Sequence, residues 1–212
     1  MPKIVDREAR RQEIIATYLK LVGREGVETV TTRRLAEALG VSTGALWHYF
    51  HGFDEVLQRS FERIFAATNE RIAASLSGRE GLDAVCAMVE QIHPLDKTTQ
   101  DEASVVVSFW GRIPFKHEMA SLQATVEKQW HEDYARHLGR AVERGELTAH
   151  APVERVSDLL MTLVTGTQVE HVFGTPIAEP ARQWQLIETV LTAWLTPKGR
   201  AAARFEERTA SA

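Results

Sequence analysis

The sequence predicts an all-α fold: an N-terminal three-helix unit containing a helix-turn-helix, followed by a six-helix domain. Three observations carry this. Leu122, Val126, Trp130, Tyr134, Leu138 and Val142 recur at a four-residue step, which lines one face of a long helix over about Met119 to Arg144. Other apolar segments keep helical spacing and stop at Pro or Gly, as at Pro94, Pro114 and Gly145. Between Val30 and Asp54, two short helical patterns flank a tight Gly40-containing turn.

The N-terminal unit is taken first. A helix is expected from about Asp6 to Arg24, with Ile14, Ile15, Tyr18, Leu19 and Val22 as one apolar stripe. Thr32 is expected to cap the next helix through its hydroxyl, and Leu35, Ala36 and Leu39 give that helix an apolar face. Gly40 can take the left-handed conformation that ends it. Ser42 then caps a third helix, Thr43 to Phe50, whose Leu46 and Phe50 turn to the core.

In a helix-turn-helix, the second helix of the pair presents its N-terminal residues to base edges in the major groove. Here those residues are Ser42, Thr43, Gly44 and Ala45, small enough for close approach. Thr43, Gly44 and Trp47 are assigned near the bases; a Thr can offer both a hydroxyl and a methyl to a base edge. Thr32, Arg34, His48, Tyr49 and His51 are assigned to phosphate oxygens. The first eleven residues read as a basic arm, with Lys3, Arg7, Arg10 and Arg11 available to the backbone or minor groove.

Charge is distributed in the direction that double-stranded DNA requires. The chain has 25 Lys and Arg against 29 Asp and Glu, a net charge of -4. Residues 1–60 hold nine of the cations and eight of the acids, so the deficit lies wholly in the remainder.

The run E-G-V-E-T-V-T-T-R-R-L-A-E-A-L-G-V-S-T-G-A-L-W-H-Y-F resembles the DNA-binding domain of the TetR family of bacterial regulators. Together with M-P-K-I-V-D-R-E-A-R-R it looks most like the BetI-type subgroup. The resemblance implies three small helices for DNA, then about six for dimerisation and ligand binding. After H-Y-F the family usually carries Ser or Asn and then Lys, whereas this chain has Gly52 and Phe53. That departure removes a phosphate-binding charge and weakens the cap of the fourth helix.

Domains are placed at residues 1–54 for DNA binding and 55–198 for regulation, with 199–212 a frayed or disordered tail. A fourth helix is expected from Asp54 to about Ser77 and others over Leu82–His93, Asp101–Ile113, Val153–Phe173 and about Pro180–Leu195, with Leu95 to Gln100 a polar loop. The last two helices carry more apolar surface than one core needs: Val156, Leu160, Val172 and Phe173 on the first, Trp184, Ile187 and Leu191 on the second. They are assigned to a two-fold homodimer interface, with Gly166 allowing close approach.

Five Trp is many for this length. A mostly apolar effector pocket is assigned to Met88, Ile92, Phe109, Trp110, Ile113, Trp130, Tyr134, Gln168 and His171. The BetI-type resemblance implies a choline-like cation, and aromatic faces attract such groups. The eight His show no metal-ligand spacing. The sequence has no G-x-S-x-G elbow and no phosphate-cradling Gly loop, so neither metal, cofactor nor enzymatic activity is expected. The single Cys86 lies among apolar residues and fits a reducing cytoplasm. No apolar run approaches the roughly 20 residues of a membrane span, and the charged N-terminus is no signal peptide. The reading is a cytoplasmic, homodimeric repressor released from its operator by an unidentified small molecule. The alternative is a ligand-binding dimer whose DNA binding is weakened or lost.

Overall fold

A computed structural model describes residues 7–212. Lys3 and the rest of the expected arm before Arg7 lie outside the described residues. The N-terminal unit comprises α1 (Arg7–Glu25), α2 (Thr32–Ala38) and α3 (Thr43–Leu46). The long α4 (Phe53–Ser75) follows, then α5 (Gly81–Ile92), α6 (Lys97–Trp110), α7 (His117–Glu143), α8 (Val153–Phe173) and α9 (Pro180–Thr192). Two short helices, α10 (Pro197–Ala203) and α11 (Phe205–Ser211), end the chain. The architecture is all-α, an N-terminal helix-turn-helix and a helical C-terminal domain.

Ile14, Ile15, Tyr18 and Val22 of the expected α1 stripe are buried, whereas Leu19 is half-buried and Leu21 takes the inward position. Ile14, Ile15, Tyr18, Leu21 and Val22 close over Leu35, Leu46 and Phe50 and share one core with Val56, Leu57 and Phe61 of α4. In the second domain α5 is the central helix, buried almost all round from Leu82 to Val89.

Several boundaries differ from those the sequence predicts, each for a local reason. Thr31, not Thr32, caps α2: its hydroxyl accepts from the Arg34 amide at 3.2 Å, which makes Thr32 the first helical residue. The third helix stops at Leu46 rather than Phe50, and the chain turns through Trp47 to Tyr49. α6 begins inside the expected polar loop, because Asp96 and Thr99 form a reciprocal capping box ahead of it. The domain boundary at 54/55 falls within the first turn of α4, a continuous helix that belongs to both units.

The C-terminal segment 199–212 is not a frayed tail. Thr196 caps α10 and Pro197 occupies its first turn, where a missing amide costs nothing. Phe205 is buried near Trp184, and Arg208 pairs with Glu90 and lies over the Trp184 ring at 5.2 Å. The apolar surplus of the last long helices divides. Val156, Leu160 and Val164 of α8 and Trp184 and Ile187 of α9 face inward; Leu159, Val172, Phe173 and Leu186 stay exposed.

Candidate nucleic-acid interface and interior cavity

The helix-turn-helix is held by short-range chemistry. Gly40 sits at φ 66° in the turn, a conformation that costs other residues energy. Ser42 Oγ accepts from the Ala45 amide at 3.2 Å and starts α3. Thr43, Gly44, Trp47, His48 and His51 are exposed; Thr32, Arg34 and Tyr49 are half-buried. A Cβ built on Gly44 would meet only Ser42 Oγ, at 3.9 Å. Among the described residues nothing requires glycine at this position.

The departure at Gly52–Phe53 is a packing solution. Gly52 caps α4 at φ 141° without a side chain. Glu55, in the first turn of α4, instead reaches back and accepts from the His51 amide at 2.7 Å. Arg11 of α1 pairs with the same carboxylate at 2.5 Å and lies over the Phe50 ring. Burial works against the Glu55 charge, but the amide and Arg11 outweigh it and hold the carboxyl below its usual range. Phe53 packs on Tyr18.

Arg34 is not free. Its guanidinium donates to both Glu25 oxygens, at 2.8 and 2.5 Å, and this pair draws the Glu25 carboxyl below its usual range. Arg7 stands closer to the recognition turn, with Nη2 donating to the His48 carbonyl at 3.2 Å.

A small cavity lies where α4, α6, α7 and α8 meet. Phe61, Phe65, Trp110 and Trp130 are its aromatic walls, and Gln123, Thr165 and Gln168 its polar residues. The volume is ≈ 30 Å³, room for about two water molecules. Both indoles are anchored: Trp110 Nε1 donates to Gln123 Oε1 at 2.7 Å, and Trp130 Nε1 to Asn69 Oδ1 at 2.9 Å. Among the described residues, buried Gln168 Oε1 has no hydrogen-bond partner, an uncompensated cost unless a ligand satisfies it.

Family models match both units. Residues 14–59 match the N-terminal model of bacterial regulatory proteins of the tetR family. Residues 81–196, more than half of the chain, match the model of BetI-type transcriptional repressors, C-terminal. The chain belongs to the TetR family. Its relatives include the HTH-type transcriptional regulator BetI of Brucella suis, 21% identical over 92% of this chain and 96% of that protein. BetI 2 of Chromohalobacter salexigens is 24% identical over 69% of this chain and 72% of its own length. A putative transcriptional regulator from Saccharomonospora viridis, solved in complex with choline, shares the fold. Its TM-score is 0.79 at 18% identity, covering 89% of this chain and 99% of that one.

As a TetR-family protein the chain is a transcriptional regulator and not an enzyme. Of the residues assigned to an effector pocket, the cavity brings together Trp110, Trp130 and Gln168. Met88, Ile92 and Tyr134 are buried core residues outside its lining. Phe109 stands behind the wall, stacked on Phe61 at 4.0 Å. Ile113 packs in the turn after α6, and His171 sits against the start of that helix near Gln100 and Asp101. Sequence reasoning missed Phe61, Phe65 and Gln123. The two Phe are visible at i and i+4 on α4, a helix that the sequence presents only as a connector. Among the described residues no cluster of three or more His, Cys, Asp or Glu could hold a metal, and no helix is long and apolar enough to cross a membrane.

Proposed function

We propose that this TetR-family regulator is a cytoplasmic homodimeric repressor, released from a double-stranded DNA operator by a small organic cation. The observation that carries the reading is the aromatic cavity with its orphaned Gln168 oxygen. Indole and phenyl faces attract a quaternary ammonium group, and a hydroxyl on the same molecule would satisfy Gln168. The choline held by the Saccharomonospora regulator supports that class of ligand. Because the cavity has room for only about two waters, ligand entry must push its walls apart.

α4 supports a route from cavity to DNA. Phe61 and Phe65 line the cavity, while Phe53 and Glu55 of the same helix grip α1 and the recognition turn. A second connection runs from Trp110: just beyond it, Arg112 and Lys116 pair with Asp54 in the first turn of α4, at 3.5 and 3.4 Å. Expansion of the cavity would tilt α4 and change the separation of the two recognition helices, which must match one helical turn of about 34 Å. The exposed Leu159, Val172 and Phe173 of α8 and Leu186 of α9 support dimerisation through these helices. A Cβ on Gly166 would meet open space, as expected where a partner helix approaches.

On the DNA side, we assign Thr43, Gly44 and Trp47 to bases and Thr32, His48, Tyr49 and His51 to phosphates. Arg7 supplies the nearby charge. The test is selection of tight-binding sequences from randomised DNA at fixed salt, followed by release with choline. Enrichment of a palindrome that choline dissociates supports the reading. No enrichment with protein refolded free of ligand would favour the alternative, a ligand-binding dimer with lost DNA binding.

A further inference from the structure

The aromatic cavity is too small to admit a ligand together with its water. Its volume is ≈ 30 Å³, and the room for about two waters is gone once a guest is seated. The lining must then meet every hydrogen-bonding need of the guest. Among the described residues, no ionisable side chain lines this aromatic box. A cation inside it is met by ring faces and not by a carboxylate.

The polar groups of the lining are already engaged, with one exception. Trp110 Nε1 donates to Gln123 Oε1, and Trp130 Nε1 to Asn69 Oδ1. Gln123 Nε2 donates to Glu127 Oε1 at 3.4 Å, and Thr165 Oγ1 to the Met161 carbonyl at 3.3 Å. Gln168 is the exception. It is 5% exposed, and its Oε1 has no partner among the described residues. The box therefore holds one waiting acceptor. A guest with a single donor satisfies it. A guest with no donor leaves it orphaned, and each further N–H finds no unengaged acceptor to receive it.

We infer that the box selects its effector by donor count, with Gln168 as the specificity-determining residue. The effector class is then a fully N-alkylated cation with one hydroxyl, and protonated amines of the same size are rejected. This deepens the cation reading proposed above and rests on it. Head and tail of the ligand are selected by different physics. The rings hold an alkylated head because its charge needs no hydrogen bond. A protonated amine carries the same charge but loses a hydrogen bond to water for each N–H, a loss that ring contact offsets only in part. The hydroxyl is read separately, by Gln168 Oε1.

Three probes separate the two selections. Choline is the reference. Propyltrimethylammonium replaces its hydroxyl by a methyl. Protonated 2-(ethylmethylamino)ethanol is an isomer of choline with the same hydroxyl and one N–H on the head. Calorimetric titration of the full chain at neutral pH, where the amine is charged as a Lys side chain is, gives affinity ratios within each protein variant. Choline should bind about tenfold tighter than either analogue, the size expected for one buried polar group left unpaired. Gln168→Met should bring the choline-to-propyl ratio to about one or below and leave the choline-to-isomer ratio unchanged. Gln168→Glu, which keeps an acceptor in place, should hold the choline-to-propyl ratio above one. Equal binding of choline and the propyl compound to the unmodified protein overturns Gln168 as the reader, as does a preference that survives Gln168→Met. An isomer that binds as tightly as choline overturns the donor limit. All three results leave the cation reading standing. If none of the probes binds, the cation reading itself falls, and this inference with it.

Discussion

Phe53 packs edge-on against Tyr18, with ring centroids 5.6 Å apart and planes at 81°. This contact joins the first residue of α4 to the centre of α1. It gives a structural reason for an aromatic where the family usually has a phosphate-binding Lys: the position fastens α1 of the DNA-binding unit to α4. Replacing Phe53 by Lys exchanges one role for the other. Loss of the aromatic pair and of half-buried apolar area should cost about 2 kcal/mol of stability. The added cation should steepen the dependence of log affinity on log salt by about one. Denaturant unfolding and DNA titration across salt check both; an unchanged midpoint would show that the ring contact contributes nothing.

Gly44 is free of internal constraint, which separates folding from binding. Gly44→Ala should hold or raise Tm, since Ala is the better helix former by up to about 1 kcal/mol. DNA affinity should nevertheless fall, and fall further for Gly44→Val, by about tenfold or more, as the side chain meets the groove. Equal affinity across Gly, Ala and Val would remove this position from the base-contact surface.

Much of the fold is legible in the amino-acid sequence alone. Val126, Trp130, Tyr134 and Leu138 of the α7 step and Ile14, Ile15, Tyr18 and Val22 of the α1 stripe are buried as their spacing predicts, with Leu19, Leu122 and Val142 half-buried, because helix periodicity depends only on local geometry and one apolar core. What escapes the sequence depends on pairing across space. Arg34 is visible as a cation beside a helix-turn-helix, but Glu25, its partner, lies nine residues back across a turn. The C-terminal segment is small and charged; only Trp184, Glu90 and Asp83, from two other helices, make an anchor of Phe205 and Arg208. The aromatic residues are visible, but whether a ring faces core or cavity depends on its neighbours, so spacing does not distinguish Phe109 and Tyr134 from Trp110 and Trp130.

The Glu25 pair has its own consequence. With both Glu25 oxygens engaged, Arg34 brings little net charge to DNA. Arg34→Ala should therefore leave the salt slope near that of the unmodified protein. Glu25→Gln should free the guanidinium and steepen the slope by about one. The opposite order, a flattened slope for Arg34→Ala and none of the gain for Glu25→Gln, would show that Arg34 leaves its pair to bind phosphate.

His93 makes the fold sensitive to acid. It is fully buried at the end of α5 against α8, with Nδ1 3.2 Å from Thr167 Oγ1 and Nε2 without a partner among the described residues. Burial drives its pKa from 6.5 down to about 4, with Gln183 opposing. The unfolded chain thus takes up a proton that the folded chain refuses. Stability from this group is full above pH 6.5 and is lost as pH falls from there to about 4. The total is about 3 kcal/mol, taking 1.36 kcal/mol per pH unit. His93→Gln should be less stable at pH 7 but lose less between pH 6.5 and 4. Unfolding midpoints in denaturant across that range give the comparison, and parallel slopes would clear His93 of the effect.

Asp54 stands where the regulatory domain touches the first turn of α4, held by Arg112 and Lys116. Both cations lie on the segment that follows Trp110, so on the proposed reading a cation entering the box would act on the same piece of chain that pairs with the first turn of α4. The pairs are partly exposed and each is worth at most about 1 kcal/mol. That is still a large share of a coupling energy of typically about 1–3 kcal/mol. Asp54→Asn should leave choline affinity in the absence of DNA unchanged and reduce the choline-induced loss of DNA affinity by about three- to fivefold. Because coupling is reciprocal, the penalty that DNA imposes on choline binding should fall by the same factor. Titrations of each ligand with and without the other measure both sides. Full release in the variant would place the coupling in α4 alone, through Phe61 and Phe65.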